Sequence, residues 1–217
     1  MNFMRNISSN GYNPKLEKLI NVMKNSGFLT DPKIEKAIKK ILRHNFVPKN
    51  QKNIAYNNTP IPIMENQTIS QPAVVARMTE WLDIKEDHKV LEIGSGSGWQ
   101  SAIISSLVPK GRVFSIERHK NLVDFAKKNL EKIGIKNVTI IHGDGNLGIP
   151  QEAPFDRIMI TAACRAIPQA LLGQLKLDGL LIAPVGETTQ SLILVKKTSD
   201  GFEEIKNQEG YIFVPLL

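Results

Sequence analysis

No stretch of this 217-residue chain approaches the roughly 18 to 20 consecutive apolar residues that crossing a bilayer takes. Met1-Asn2-Phe3-Met4-Arg5-Asn6 leads into no secretory apolar region either, so the expectation is a soluble, cytoplasmic protein without membrane contact. Cysteine is nearly missing: Cys164 alone excludes an intrachain disulfide and fits a reducing compartment. Three tyrosines and two tryptophans, with no block of aromatics interleaved with arginines, leave little for stacking nucleobases. The four histidines, His44, His88, His119 and His142, are scattered, and no pair has H-x-x-x-H spacing, so no metal site is expected. Low-complexity segments, internal repeats and a second-domain linker are also absent, which makes one domain the expectation at this length.

What is present is a basic balance of +7. Lys120, Lys127, Lys128, Lys132 and Lys136 fall on helical spacing with apolar partners, the pattern of a solvated face rather than of a nucleic-acid track. Leu16, Leu19, Ile20 and Met23 repeat at helical spacing, as do Ile34, Ala37, Ile38, Ile41 and Leu42 after an Asp31-Pro32 start signal. From Phe46 to Ser70 prolines and asparagines break the pattern into a long extended connection, of a length that usually serves function. Ser70-Gln71-Pro72 reads as a helix start with Val74, Val75, Met78, Trp81 and Leu82 as its buried stripe.

Beyond His88 strands and helices alternate. Val90–Ile93, Arg112–Ile116, Val138–Ile141 and Arg157–Thr161 read as strands, with helices around Trp99–Leu107, Leu122–Ile133 and Gln169–Leu175. The runs Leu180–Val185, Leu192–Val195 and Tyr211–Val214 follow with no helix between them. The fold class is therefore α/β: a doubly wound, mostly parallel Rossmann-like sheet with an antiparallel C-terminal end and an N-terminal helical extension.

Val90-Leu91-Glu92-Ile93-Gly94-Ser95-Gly96-Ser97-Gly98 is an apolar strand ending in a glycine-rich turn, and Glu117 closes the next strand. That pairing describes a nucleotide site, the glycines for close backbone approach and Glu117 for both hydroxyls of a ribose. The spacing is not the G-x-G-x-x-G of a dinucleotide, because Gly98 comes two residues after Gly96 and bulky Trp99 follows. Glu92 adds negative charge that suits a cation, and S-adenosylmethionine, with its ammonium and sulfonium, meets that description.

Taken together, Phe46-Val47-Pro48, Ala55-Tyr56, Pro60-Ile61-Pro62-Ile63, Gln67-Thr68-Ile69-Ser70-Gln71-Pro72, the Gly94 loop, His142-Gly143-Asp144-Gly145, Ala153-Pro154-Phe155-Asp156, Thr161-Ala162-Ala163, Pro184-Val185-Gly186 and Phe213-Val214-Pro215-Leu216 resemble the protein-L-isoaspartate O-methyltransferase family. The glycine loop alone indicates only a class I methyltransferase; the Gln67–Pro72 segment and its order relative to the others are specific. The resemblance spans nearly the whole chain as one domain, with N-terminal helices and a substrate loop over 1–70 and a cofactor-binding core over 71–217. It implies methyl transfer from S-adenosylmethionine to the free α-carboxylate of L-isoaspartyl residues in damaged peptides and proteins. S-adenosylhomocysteine is left, and the ester collapses to a succinimide whose hydrolysis returns some normal aspartate.

By the same resemblance Ser70 lies at the active site, Glu117 holds the ribose, the loop Gly94, Ser95, Gly96, Ser97 and Gly98 takes the methionine end, and Asp144-Gly145 takes the adenine. Thr68, Ile69 and Val214 frame the peptide, and a monomer is implied. Residue chemistry agrees independently, since a carboxylate of pKa near 4 is a nucleophile at neutral pH and needs no base, and the chain offers no base cluster.

Each residue also has a plainer role: Ser70 as a helix cap, Asp144 as a turn residue, Cys164 as a small buried hydrophobe rather than a thiol nucleophile. The chain departs from the family pattern at Asn57-Asn58, where an acid is expected, and at Met64-Glu65-Asn66, where glycine is expected. A methyltransferase acting on RNA or DNA, and a cofactor-binding partner protein without catalysis, are the alternatives the sequence leaves open.

Overall fold

Asn13 and Asp31 start the first two helices by local hydrogen bonding. In the computed structural model, which describes residues 13–217, Asn13 accepts from the N–H groups of Lys15 and Leu16 and Pro14 fills the first turn of α1 (Pro14–Asn25). Asp31 caps α2 (Pro32–Lys40) through Lys33 N–H at 2.7 Å. The stripes Leu16, Leu19, Ile20, Met23 and Ile34, Ala37, Ile38 are buried as their spacing predicts, while Leu42 lies beyond the end of α2. Met1–Asn6, read above for a secretory signal, falls outside the described residues.

The Phe46–Ser70 stretch is not the extended connection its composition predicts. It contains a 3₁₀ turn at Lys49–Ile54 and a small hairpin, β1 (Ile61–Pro62) against β2 (Thr68–Ile69), with Ile61 opposite Ile69. Phe46, Val47, Ala55, Tyr56, Ile61 and Ile69 are buried in the same apolar cluster as α1 and α2, which anchors the chain despite its prolines. The hairpin tip turns at Glu65 and Asn66, with φ of 59° and 55°. Asparagine adopts that left-handed conformation readily.

The next helix, α3 (Pro72–Trp81), has Gln71 at its N-cap with no side-chain cap from its own sequence, so Ser70 is not the cap. Asn58 supplies the acceptor instead, taking Ala73 N–H at 3.0 Å from 15 residues away. One of the two asparagines that depart from the family pattern thus holds the start of α3. Val75, Met78 and Leu82 are buried; Val74 and Trp81 are partly so.

The remaining elements are β3 (Lys89–Ile93), α4 (Trp99–Leu107), β4 (Arg112–Glu117), α5 (Lys120–Lys132), β5 (Val138–His142), β6 (Phe155–Ile160), α6 (Gln169–Gly173), β7 (Leu175–Val185), β8 (Gln190–Thr198) and β9 (Gly201–Tyr211). The strands form one sheet in the order β5-β4-β3-β6-β7-β8-β9. The first five strands of that order run parallel, with Ile93 beside both Ile116 and Ile160. The last two pairings are antiparallel.

Period-two alternation divides the core: Leu91, Ile93, Phe114, Ile116, Ile158 and Ile160 pack on one face, Val90, Val113 and Met159 with α4 on the other. The last strand ends at Tyr211, where the apolar pattern predicts it to begin. Glu203, Glu204, Lys206 and Asn207 are exposed on this edge, so their pairing is written in backbone hydrogen bonds rather than in side-chain alternation.

Among the described residues no helix is long and apolar enough to cross a membrane. Lys120, Lys127, Lys128, Lys132 and Lys136 are exposed as predicted, and Lys120 pairs with Asp124 one helical turn on. Because the chain winds from β3 outward through β4 and β5 and then crosses to β6, the carboxyl ends of β3 and β6 form a topological switch point. A ligand crevice belongs there.

Candidate active site

A cleft of about 640 Å³ opens at that switch point. One wall is Gly94–Ser97 with Glu117–His119, the floor includes Gly145 and Thr161, and the opposite wall is Thr68–Gln71 with Tyr211–Leu217. A volume of this size suits a small-molecule ligand.

The glycines are used for close approach. Gly94 has φ of +95°, and a Cβ there would stand 2.5 Å from Thr161 Oγ1. That hydroxyl lies 2.8 Å from the carbonyl oxygens of both Ile93 and Gly94, tying the loop to the end of β6. Gly96, with φ of +52°, donates its N–H to Glu117 Oε2 at 2.9 Å. Glu117 Oε1 accepts from His119 N–H at 3.0 Å. The carboxylate at the end of β4 is thus held rigidly at the cleft wall while keeping acceptor capacity for a ligand. Ser95 and Ser97 also line the cleft. Gly98 does not; it is the left-handed N-cap of α4, with Ala126 of α5 only 3.3 Å from where a Cβ would sit, so its role is helix packing.

One acidic residue, Glu92, is elsewhere than the sequence puts it, and Asp144 stands in the turn after β5 beside cleft-lining Gly145. Glu92 is fully buried beneath the loop and does not face the cleft. Its Oε2 accepts from the hydroxyls of Ser101 and, at 2.7 Å, Ser115, while Oε1 has no partner. Burial pushes its pKa up to about 7, with Glu117 adding to the rise. Alternation along β3 is the reason: Glu92 points with Val90 toward α4. Asp144 is exposed and accepts from Asn146 N–H at 2.8 Å, the turn residue of its plainer role. Gly145 does reach the cleft, at a point where a Cβ would meet Ile93 Cγ2 at 2.4 Å.

Ser70, Thr68, Ile69 and Val214 all line the second wall. Ala163 N–H holds the Val214 carbonyl at 2.7 Å, and Leu216 N–H returns to Ala163 at 2.7 Å, so the C-terminal segment is laced to the loop after β6. Sequence reasoning missed Gln71, Trp99, Gln100, Thr161 and Phe213, which also line the cleft. Thr161 was legible in principle, since it follows the strand that pairs with β3. Phe213 is the neighbour of Val214, which the resemblance already places at the peptide.

Glu65, one of the departures from the family pattern, is held by other partners: Oε1 accepts from Asn121 at 2.6 Å and Oε2 stands 3.8 Å from Nδ1 of His119, a cleft residue. Cys164 is 6% exposed and burial pushes its thiol up to about 11, so no thiolate is available at neutral pH. Asp156, to which the sequence assigns no chemistry, accepts from Lys89 N–H and pairs with Lys176.

Residues 14–217 match the family model described as protein-L-isoaspartate(D-aspartate) O-methyltransferase. The chain belongs to that family. A protein-L-isoaspartate O-methyltransferase of Methanosarcina mazei is 46% identical over 204 residues, covering 94% of this chain and 84% of that one. One from Vibrio campbellii is 44% identical, covering 94% and 97%. A solved protein-L-isoaspartate O-methyltransferase superimposes with a TM-score of 0.83 at 31% identity, covering 92% of this chain and 65% of that longer one. A Plasmodium falciparum structure described as a putative member, in complex with S-adenosyl-L-homocysteine, gives 0.82 at 25% identity and covers 93% and 97%. Membership in the protein-L-isoaspartate(D-aspartate) O-methyltransferase family makes this chain a methyltransferase, and the switch-point cleft is its candidate active site.

Proposed function

We propose that the cleft transfers the methyl group of S-adenosylmethionine to the free α-carboxylate of L-isoaspartyl residues in damaged peptides and proteins, with the chain acting as a cytoplasmic monomer. The observation that carries this reading is the pairing of Glu117 on one wall with Ser70 on the other, across a single cleft completed by one chain.

The residues fit the cofactor. Gly94, where a Cβ would collide with the Thr161 hydroxyl, lets the loop turn tightly beside Ser95 and Ser97 to take the methionine end, and the fixed Glu117 carboxylate suits two ribose hydroxyls. Gly145 would pass close under the adenine, with Asp144 shaping the turn rather than touching the ring. When bound, S-adenosylmethionine supplies an electrophilic methyl on a sulfonium.

The acceptor carboxylate is ionised at neutral pH, so the protein's task is to hold it in line and keep the pocket dry. Ser70 Oγ would donate to one acceptor oxygen, and Thr68, Ile69 and Val214 would flank the peptide. The nucleic-acid alternative draws no support from the surface lysines, several of which are paired with carboxylates.

Ser70→Ala removes one hydroxyl–carboxylate hydrogen bond, which contributes about 1.5–3 kcal/mol, so kcat/KM for an isoaspartyl peptide should fall roughly 10- to 100-fold. The dissociation constant of S-adenosylhomocysteine by calorimetry should stay essentially that of the parent. Unaltered steady-state kinetics would take Ser70 out of the acceptor site.

A further inference from the structure

Arg43, in the 3₁₀ turn after α2, is 1% exposed, yet it makes no ion pair among the described residues. Its two Nη groups are solvated by backbone carbonyls instead, while the buried Nε has no partner among the described residues. Nη1 donates to Ala55 at 2.8 Å and Asn57 at 3.2 Å, and Nη2 lies 3.0, 3.3 and 2.8 Å from the oxygens of Thr59, Ile69 and Ser70. The Trp99 ring, itself part of the cleft, lies 5.1 Å from the guanidinium carbon. Burial lowers the arginine to about 9, which leaves it charged at neutral pH.

A buried cation without an anion is costly, and five carbonyls from two short stretches, 55–59 and 69–70, converge on this one. Lysine could not reproduce that fork. The most direct consequence falls on Ser70, whose carbonyl is one of the two shortest contacts and which itself lines the cleft.

We propose that Arg43 is the positioning residue of the acceptor wall: it fixes Ser70 through its carbonyl, and its unneutralised charge biases that wall toward an anionic acceptor. This rests on the reading of Ser70 as the acceptor side. Arg43 reaches the cofactor side only through the Trp99 ring at the start of α4, while all five of its hydrogen bonds go to the acceptor side, so the two halves of the cleft are read separately in the experiment.

The test uses full-length parent, Arg43→Lys and Arg43→Met, with calorimetric binding of S-adenosylhomocysteine, then of an isoaspartyl peptide and its neutral α-carboxamide counterpart to that complex, and steady-state kinetics. Arg43→Met should bind S-adenosylhomocysteine within about threefold of the parent and lose roughly 100-fold in kcat/KM, the loss of a charged hydrogen-bonded group. Its preference for the isoaspartyl peptide over the carboxamide should collapse. Arg43→Lys should recover part of the peptide preference but little of the turnover.

A parent that binds both peptides alike overturns the acceptor-side reading and this proposal with it. A discriminating parent, with an Arg43→Met variant that discriminates and turns over equally well, overturns only the role of Arg43. Parallel loss of cofactor affinity and peptide preference makes Arg43 a general scaffold residue and also overturns it. If Arg43→Met does not fold, Arg43→Lys decides alone, and parental kcat/KM in that variant rejects the proposal.

Discussion

Glu117→Ala is expected to raise the dissociation constant of S-adenosylhomocysteine by roughly 100- to 1000-fold. Glu117 is 6% exposed and already serves two backbone N–H groups, those of Gly96 and His119. Its removal therefore acts twice, taking two acceptors from the ribose and releasing the loop that carries Gly94 and Gly96. Two hydrogen bonds to a charged acceptor, at about 1.5–2 kcal/mol each, account for a change of that size. Glu117→Gln should fall between, because one carbonyl oxygen remains while the amide N–H₂ meets backbone donors. Calorimetry on folded variants measures this directly, and an unchanged constant would remove Glu117 from the ribose site.

The second large effect is on stability and its pH dependence. Glu92 titrates at about 7 in the fold against an ordinary 4.5, because burial disfavours its charged form. The folded state therefore holds a proton that the unfolded chain has lost between these values, and stability falls as pH rises through that window. At about 1.36 kcal/mol per pKa unit, the loss is about 3 kcal/mol by pH 8.

Glu92→Gln cannot ionise, so it should match the parent near pH 4.5 and exceed it at pH 8 by that amount, roughly 6 to 12 °C in Tm for a protein of this size. Paired urea or thermal unfolding curves at the two pH values read the difference. A parent–variant gap that stays constant with pH would mean Glu92 is ionised in the fold.

Much of this fold was legible because the signals are local. Asn13-Pro14 and Asp31-Pro32 cap their own helices, and Gly94-x-Gly96 ends a strand whose neighbours share its apolar pattern. What escaped depends on distant partners. Asn58 caps α3 from 15 residues away, and Arg43 orders the Thr59 and Ser70 backbones across up to 27 residues.

Glu92 is a different case. An acid before a glycine loop suggests cation binding, but in a strand flanked on both faces by helices its direction follows from alternation with Val90, and that direction is inward. The edge strand β9 escaped because its exposed face, with Glu203, Glu204 and Lys206, lacks any burial period. Of the residues expected at the cofactor, Gly94, Glu117 and Gly145 line the cleft because they sit at or just beyond strand ends, where topology rather than side-chain type decides what faces it.

The central claim is methyl transfer to an isoaspartyl carboxylate. It is tested most directly by incubating the protein with methyl-labelled S-adenosylmethionine and a matched pair of peptides, one isoaspartyl and one aspartyl, and counting base-labile label. Label on the isoaspartyl peptide alone is the predicted result. Equal labelling of both, or labelling of neither by a protein that binds S-adenosylhomocysteine, would contradict it.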